Sequence, residues 1–169
     1  LIGQAATGTG KTAAFALPIL SRIDLDAAAR KTPQALVLCP TRELAVQIAQ
    51  HMEGLSYFTS VSSIAVYGGG DGNAFVQEKK ALSHGADVVI CTPGKMMSHI
   101  KMGYVKLAGL KYLILDEADR MLDMGFYDDI MFIIDSLPKK RQNLLFSATM
   151  PHKIRELARK ILHNPEEVN

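Results

Sequence analysis

The sequence has no tryptophan, only two cysteines and no long apolar segment. Cys39 and Cys91 each close a short apolar run, and neither has a cysteine or histidine at metal-ligand spacing. We therefore expect buried, reduced thiols, which fit a cytoplasmic compartment, rather than a disulfide framework or a metal site. Apolar runs such as residues 112–115 are far shorter than the roughly 20 residues that a membrane-spanning helix needs. The sequence thus predicts no membrane association.

Charge of one sign is also scarce. The chain carries 19 Lys and Arg against 17 Asp and Glu, a formal net charge of +2, which by itself does not indicate a nucleic-acid partner. With 169 residues, 48% hydrophobic and 21% charged, the composition is that of a globular domain. This length predicts one domain, residues 1–169, whose core needs no disulfide or metal. Because no initiator methionine or signal peptide is present, we expect a piece of a longer chain.

Short β-rich apolar runs recur and predict buried strands at residues 35–39, 64–67, 87–91, 112–115 and 143–146. Apolar residues at helical spacing separate them, most clearly over residues 126–137 and 154–162 and also over 43–55 and 73–82. Since parallel strands need long crossovers, this alternation predicts an α/β fold with a mostly parallel sheet covered by helices on both faces. Ligands of such sheets bind beyond the carboxyl ends of the strands.

A glycine-rich segment lies between an apolar stub at the start of the chain and an apolar helical pattern at Ala14, Leu17 and Leu20. Its members are Ala5, Ala6, Thr7, Gly8, Thr9, Gly10, Lys11 and Thr12. This context predicts a phosphate loop, in which backbone amides and a helix N-terminus surround an anion. Lys11 would neutralise the β- and γ-phosphates and Thr12 would bind magnesium. Because Ala5 stands where the usual pattern has glycine, a plain glycine-rich turn is the alternative.

Two adjacent carboxylates, Asp116 and Glu117, end the apolar run at residues 113–115. We expect Asp116 to hold magnesium and Glu117 to orient or deprotonate the water that attacks the γ-phosphate. Adjacent acids at a helix start also serve as ordinary capping residues. The phosphate loop favours the catalytic interpretation, with Lys11, Asp116 and Glu117 as its catalytic residues.

Residues 116–119 spell D-E-A-D, and P-T-R-E-L-A at 40–45, T-P-G-K at 92–95 and S-A-T at 147–149 accompany them. With these motifs the whole chain resembles the DEAD-box RNA helicases, and specifically the first of their two RecA-like domains. The resemblance implies a three-layer P-loop fold and an ATP-dependent RNA helicase that uses ATP and Mg²⁺. Ala5 is a variant that the family itself uses. Ala6 stands where the family often has Gln, and Lys95 replaces the usual Arg, so it keeps the charge but loses planar bidentate bonding.

The resemblance places contacts with the RNA backbone in the segments that follow three strands. The residues are Pro40, Thr41, Arg42, Gly69, Gly70, Thr92, Pro93, Gly94 and Lys95. Glycine permits close backbone approach, and the helix that opens near Thr92 offers free amides to a phosphate. Such contacts do not read bases, so the expected binding is independent of RNA sequence. The alternatives are a surface turn at 68–72 and a helix-start surface residue at Arg42.

The resemblance also implies a network that couples the ATP site to the RNA site. Asp119 would accept hydrogen bonds from Ser147 and Thr149, the hydroxyl residues of the S-A-T motif. The alternative is that Thr149 and Pro151 simply begin the last helix.

The family's core needs two parts that these 169 residues do not contain. One is a second RecA-like domain that supplies arginines to the ATP site and half of the RNA cleft, and the other is an upstream glutamine motif that reads adenine. Because an arginine finger contributes about 10³ to 10⁵ in turnover, we expect the isolated, monomeric fragment to be nearly inactive. A small-molecule kinase has no use for residues 40–45 or 92–95. An RNA-binding module that does not use nucleotides would have lost Lys11, Asp116 or Glu117, and all three are present.

Overall fold

The computed structural model describes residues 1–4, 10–26, 32–69 and 72–168. Within these stretches strands and helices alternate along most of the chain. The strands are β1 Ile2–Gln4, β2 Ala35–Leu38, β3 Ser63–Val66, β4 Val88–Cys91, β5 Tyr112–Leu115, β6 Gln142–Ser147 and β7 Glu167–Val168. The helices are α1 Lys11–Leu20, α2 Arg42–Ser56, α3 Gly72–His84, α4 Pro93–Lys101, α5 Ala118–Asp123, α6 Tyr127–Asp135 and α7 His152–Ile161.

All strands join one parallel sheet in the order β3-β4-β2-β5-β6-β1-β7. The register pairs Leu38 with Cys91 on one side and with Leu115 on the other, so these three strands end at the same level. The segments that follow β2, β4 and β5 consequently meet at one edge of the sheet, where a ligand is expected.

Alternate residues of each central strand face opposite layers, because side chains in a strand have a period of two. On β2, Leu36 and Leu38 pack in the core shared with α3 to α7, whereas Ala35 and Val37 pack in the core shared with α1 and α2. Both faces are buried, which explains why the strands are continuously apolar. The predicted three-layer α/β fold is confirmed.

The face of α1 that packs on the sheet differs from the predicted one. The buried residues are Phe15, Ala16 and Ile19, whereas Leu17, part of the predicted apolar pattern, is 53% exposed. Residues 15, 16 and 19 form a stripe at i, i+1 and i+4, and Phe15 lies against Phe146 of β6 with ring centroids 5.6 Å apart. This aromatic contact with a distant strand, absent from the local pattern, selects the buried face.

The first and last strands complete the sheet next to β6. Gly3 on β1 lies so close to Phe146 that an added Cβ would come within 2.6 Å of its ring, so a larger residue there would force the ring to move. β7 was not predicted, because it has only two residues and both are exposed. Among the helices of the described stretches, none is long and apolar enough to cross a membrane.

Candidate ATP and RNA site

The start of α1 contributes the first half of the predicted ATP site. Gly10 precedes the helix with φ of 81°, a left-handed conformation that favours glycine. Lys11 and Thr12 form the first turn and are partly buried. The other predicted phosphate-loop residues, Ala5, Ala6, Thr7, Gly8 and Thr9, lie outside the residues that the structure describes.

The carboxylate of Asp116 faces this helix start. Lys11 Nζ lies 3.6 Å from Asp116 Oδ1, and both side chains are largely buried. Burial raises the pKa of Asp116, while the Lys11 ammonium and the backbone N–H of Glu117, which donates to Oδ1 at 3.0 Å, oppose the rise. A desolvated carboxylate of this kind gains from a cation that replaces its lost hydration. The structure thus brings Lys11 and Asp116 together, although they are far apart in the sequence.

A cavity of about 610 Å³ opens beside this pair. It is lined by Gly10, Lys11, Thr12, Ala13, Leu44, Gln47, Gln50, His51, Gly54, Leu55, Asp116 and Glu117. The α2 wall was not predicted from the sequence. The signal was present, because Gln47, Gln50, His51 and Gly54 recur at the spacing of one helix face, but no motif marks them.

Glu117 has an uncommon backbone conformation. Its φ of 50° and ψ of 50° place a non-glycine residue in the left-handed region, which costs roughly 1 kcal/mol or more and is concentrated at functional sites. Its side chain is partly buried, and its Oε2 accepts a hydrogen bond from Arg120 Nη1 at 3.3 Å. In this conformation Glu117 lines the cavity next to Asp116, a placement that the sequence pattern does not reveal.

The predicted contact between D-E-A-D and S-A-T is present. Asp119 Oδ2 accepts the hydroxyl of Thr149 at 2.7 Å and its backbone N–H at 2.9 Å. Ser147 Oγ accepts the backbone N–H of Asp119 at 3.3 Å and donates to the backbone carbonyl of Thr149 at 2.7 Å. Burial acts to raise the pKa of Asp119, but the hydrogen bonds, led by those from Thr149, hold it below its usual value.

The segment after β2 places Arg42 near the turn that follows β3. Thr41 caps α2 by accepting the backbone N–H of Leu44 at 3.3 Å, and Pro40 is buried. The Arg42 guanidinium lies 4.9 Å from the ring centroid of Tyr67. Gly69 has φ of 88°, and a Cβ there would lie 3.5 Å from Arg42 Nη1. Gly70, also predicted, lies outside the described residues.

The segment after β4 begins α4 as expected. Thr92 precedes the helix, Pro93 occupies its first turn, and no side chain caps the first amides. Lys95 does not extend freely from this turn, because its Nζ lies 3.1 Å from Glu78 Oε2. Sequence reasoning missed Glu78, although it precedes the buried Leu82 by four residues on α3 and so shares its face.

Comparison with known proteins gives a consistent result. A sequence model of the DEAD/DEAH box helicase family matches residues 1–157. The ATP-dependent RNA helicase CshA of Listeria monocytogenes is 47% identical over 166 residues, 98% of this chain and 31% of the relative. The ATP-dependent RNA helicase DeaD of Escherichia coli K12 is 45% identical over 169 residues, 99% of this chain and 26% of the relative. This chain therefore spans about a third or less of either relative.

Solved structures agree with the sequence relatives. The crystal structure of a DEAD box protein from the hyperthermophile Methanococcus jannaschii superposes with a TM-score of 0.89 and 40% identity. The match covers 98% of this chain and 44% of that protein chain.

Proposed function

The chain belongs to the DEAD/DEAH box helicase family and corresponds to the N-terminal RecA-like domain of these helicases. We propose that it binds ATP–Mg²⁺ at the start of α1 and the backbone of single-stranded RNA at the ends of β2, β3 and β4. The observation that carries the ATP assignment is the buried Lys11–Asp116 pair at the wall of the cavity. With a second domain of the same protein, the chain would couple ATP hydrolysis to the unwinding of RNA duplexes.

Lys11 is suited to hold the β- and γ-phosphates, because its ammonium is largely buried and already faces an anion. Thr12 and Asp116 would hold Mg²⁺, which supplies charge neutralisation on the phosphates. The donor set fits this ion, because Thr12 and Asp116 line the same cavity and offer one hydroxyl and one carboxylate oxygen ligand. Mg²⁺ commonly uses only one or two carboxylates together with substrate phosphates and water.

Glu117 is the proposed general base. It lines the same cavity as Lys11 and Asp116, so its carboxylate is placed to orient or deprotonate a water at the γ-phosphate. Its partner in this structure, Arg120, is 58% exposed, so the ion pair is weak and water can replace it.

The proposed RNA contacts are Arg42, Gly69 and the first turn of α4. Arg42 offers a guanidinium, Gly69 leaves the backbone approachable, and the uncapped amides after Thr92 form a positive helix end. All three bind phosphate rather than bases, so we expect binding that is independent of sequence and sensitive to salt. The Asp119–Thr149 contact would couple this site to the nucleotide.

The isolated domain is expected to be a monomer and nearly inactive, because half of the ATP site and half of the RNA cleft would come from the second domain. The two cysteines are free and buried, which fits a reducing compartment, and we propose a cytoplasmic protein.

The test compares ATP hydrolysis by the full-length protein with and without single-stranded RNA, in the wild type and in Glu117→Gln. We expect RNA to stimulate turnover and the substitution to lower it by about 10² to 10⁴. Binding of a fluorescent ATP analogue should persist in Glu117→Gln, since Lys11 and Asp116 are untouched. Glu156→Gln on α7, a 53% exposed side chain, is the matched charge control.

Three results would contradict this assignment. Hydrolysis that is equally fast without RNA would refute the coupling, and hydrolysis that survives in Glu117→Gln would remove Glu117 as the base. A wild-type protein that neither hydrolyses nor binds ATP would favour an RNA-binding module that does not use ATP.

A further inference from the structure

Glu78 is a buried acid that belongs to none of the motifs. It is 7% exposed, and its two carboxylate oxygens meet donors from the end of β3 and from α4. Oε1 accepts the backbone N–H of Tyr67 at 3.3 Å. Oε2 lies 3.1 Å from Lys95 Nζ and 3.1 Å from His99 Nε2. Since a buried carboxylate is strongly unfavourable without partners, these contacts tie α3 to the two neighbouring segments.

Aromatic side chains hold His99, one of the partners of Glu78, in place. His99 is fully buried, its ring stacks on Phe75 with centroids 5.0 Å apart and an interplanar angle of 11°, and its Nδ1 contacts the hydroxyl of Tyr104. Desolvation lowers the pKa of His99 despite the opposing effect of Glu78, which favours the neutral imidazole. Lys95 is thus the cation that balances the charge of Glu78.

Lys95 is confined by the same cluster. Its side chain is 21% exposed, and its ammonium lies between Glu78 Oε2 and the Phe75 ring, 5.0 Å from the ring centroid. A phosphate that approached Lys95 would meet an ion pair of zero net charge. Such a pair releases few counterions when RNA binds, because counterion release follows the positive charge that the protein adds.

Tyr67 extends the support to the other RNA segments. Its backbone N–H donates to Glu78 Oε1, and the guanidinium of Arg42 lies over its ring. Gly69 follows two residues later, within reach of the same guanidinium. Glu78 therefore contacts the segments that follow β3 and β4 directly, and the segment that follows β2 through Tyr67.

We propose that Glu78 is a positioning residue for RNA, which keeps Lys95 in a neutral internal ion pair and holds the segments after β3 and β4 in place. RNA phosphates are then bound by Arg42 and the backbone amides, while Lys95 shapes the turn instead of supplying free positive charge. This inference rests on the proposed RNA-binding function of the same surface.

The test measures binding of a 5′-labelled oligouridylate to the full-length protein by fluorescence anisotropy, between about 50 and 200 mM KCl. Each free cation on a single strand contributes about 0.7 to the slope of log K against log salt. We expect Glu78→Gln, which frees Lys95, to steepen the slope by about 0.7, and adding Lys95→Met to remove that extra charge. The double variant should return to the wild-type slope, and Glu156→Gln should not alter it.

The outcomes separate the two proposals. If the wild type binds no RNA, the proposed function fails. If it binds RNA but the double variant flattens the slope by about 0.7, or folded Glu78→Gln leaves it unchanged, the role of Glu78 is refuted. Circular dichroism checks folding of each variant. If Glu78→Gln does not fold, the charge-neutral double variant decides the question by keeping or losing the wild-type slope.

Discussion

The hydrogen bond between Thr149 and Asp119 offers a direct measure of how the S-A-T segment is held. In Thr149→Val the hydroxyl that lies 2.7 Å from Asp119 Oδ2 is lost, whereas the backbone N–H of residue 149 still donates to the same oxygen at 2.9 Å. Thr149→Ser keeps the hydroxyl and removes only a methyl group. The pair of variants therefore isolates one hydrogen bond.

The magnitude follows from the charge of the acceptor and its access to water. A hydrogen bond to a charged group contributes about 1.5 to 3 kcal/mol, and a neutral one about 1. Thr149 is exposed and Asp119 only half-buried, so water partly replaces the lost donor in Thr149→Val. We expect a loss of about 1 kcal/mol, or a lower melting temperature by about 2 to 4 °C for a domain of this size.

The pH dependence has a definite sign. Because the folded pKa of Asp119 lies below its ordinary value of 3.8, the stabilisation is complete above pH 3.8 and is lost as the pH falls through the folded pKa. The difference between wild type and Thr149→Val should accordingly be constant near neutral pH and shrink below pH 3.8.

Urea unfolding followed by circular dichroism measures this difference, with an unchanged slope as the sign that the unfolded states match. Thr149→Ser should remain within about 0.5 kcal/mol of the wild type. A Thr149→Val variant as stable as the wild type, or a Thr149→Ser variant as unstable as Thr149→Val, would show that the hydroxyl contact does not stabilise the segment.

Two further predictions concern Asp116 and the cysteines. Burial raises the pKa of Asp116, and Lys11, 3.6 Å away, opposes the rise, so Asp116→Asn relieves the burial of a carboxylate but leaves Lys11 without its anion, and thermal melts without nucleotide give the reference for each protein. In the same melts ATP–Mg²⁺ should stabilise the wild type and not the variant; stabilisation of both would remove Asp116 from the site. Burial also raises the pKa of both Cys39 and Cys91, so a thiol reagent should label them only after unfolding. Rapid labelling in native buffer would show that the thiols are accessible.

Most of the fold could be predicted from the sequence, because its signals are local. Strand β5 matches its predicted bounds, and β2, β4 and β6 differ from theirs by one or two residues at their ends. Among the described residues, the segments that follow β2, β4 and β5 meet at one sheet edge, since parallel strands end on the same side. β7 escaped because two exposed residues have no periodicity.

The partners of the site residues were decided by tertiary structure alone. Motif spacing within short segments was enough to select Lys11, Asp116, Asp119 and Thr149, because such spacing is local. The strand order, which places β2 between β4 and β5, decided which of these side chains meet. The tertiary packing also places Glu78 beside Lys95, and Glu117 adopts a left-handed backbone conformation. Contacts of this kind depend on elements far apart in the chain, and no local pattern encodes them.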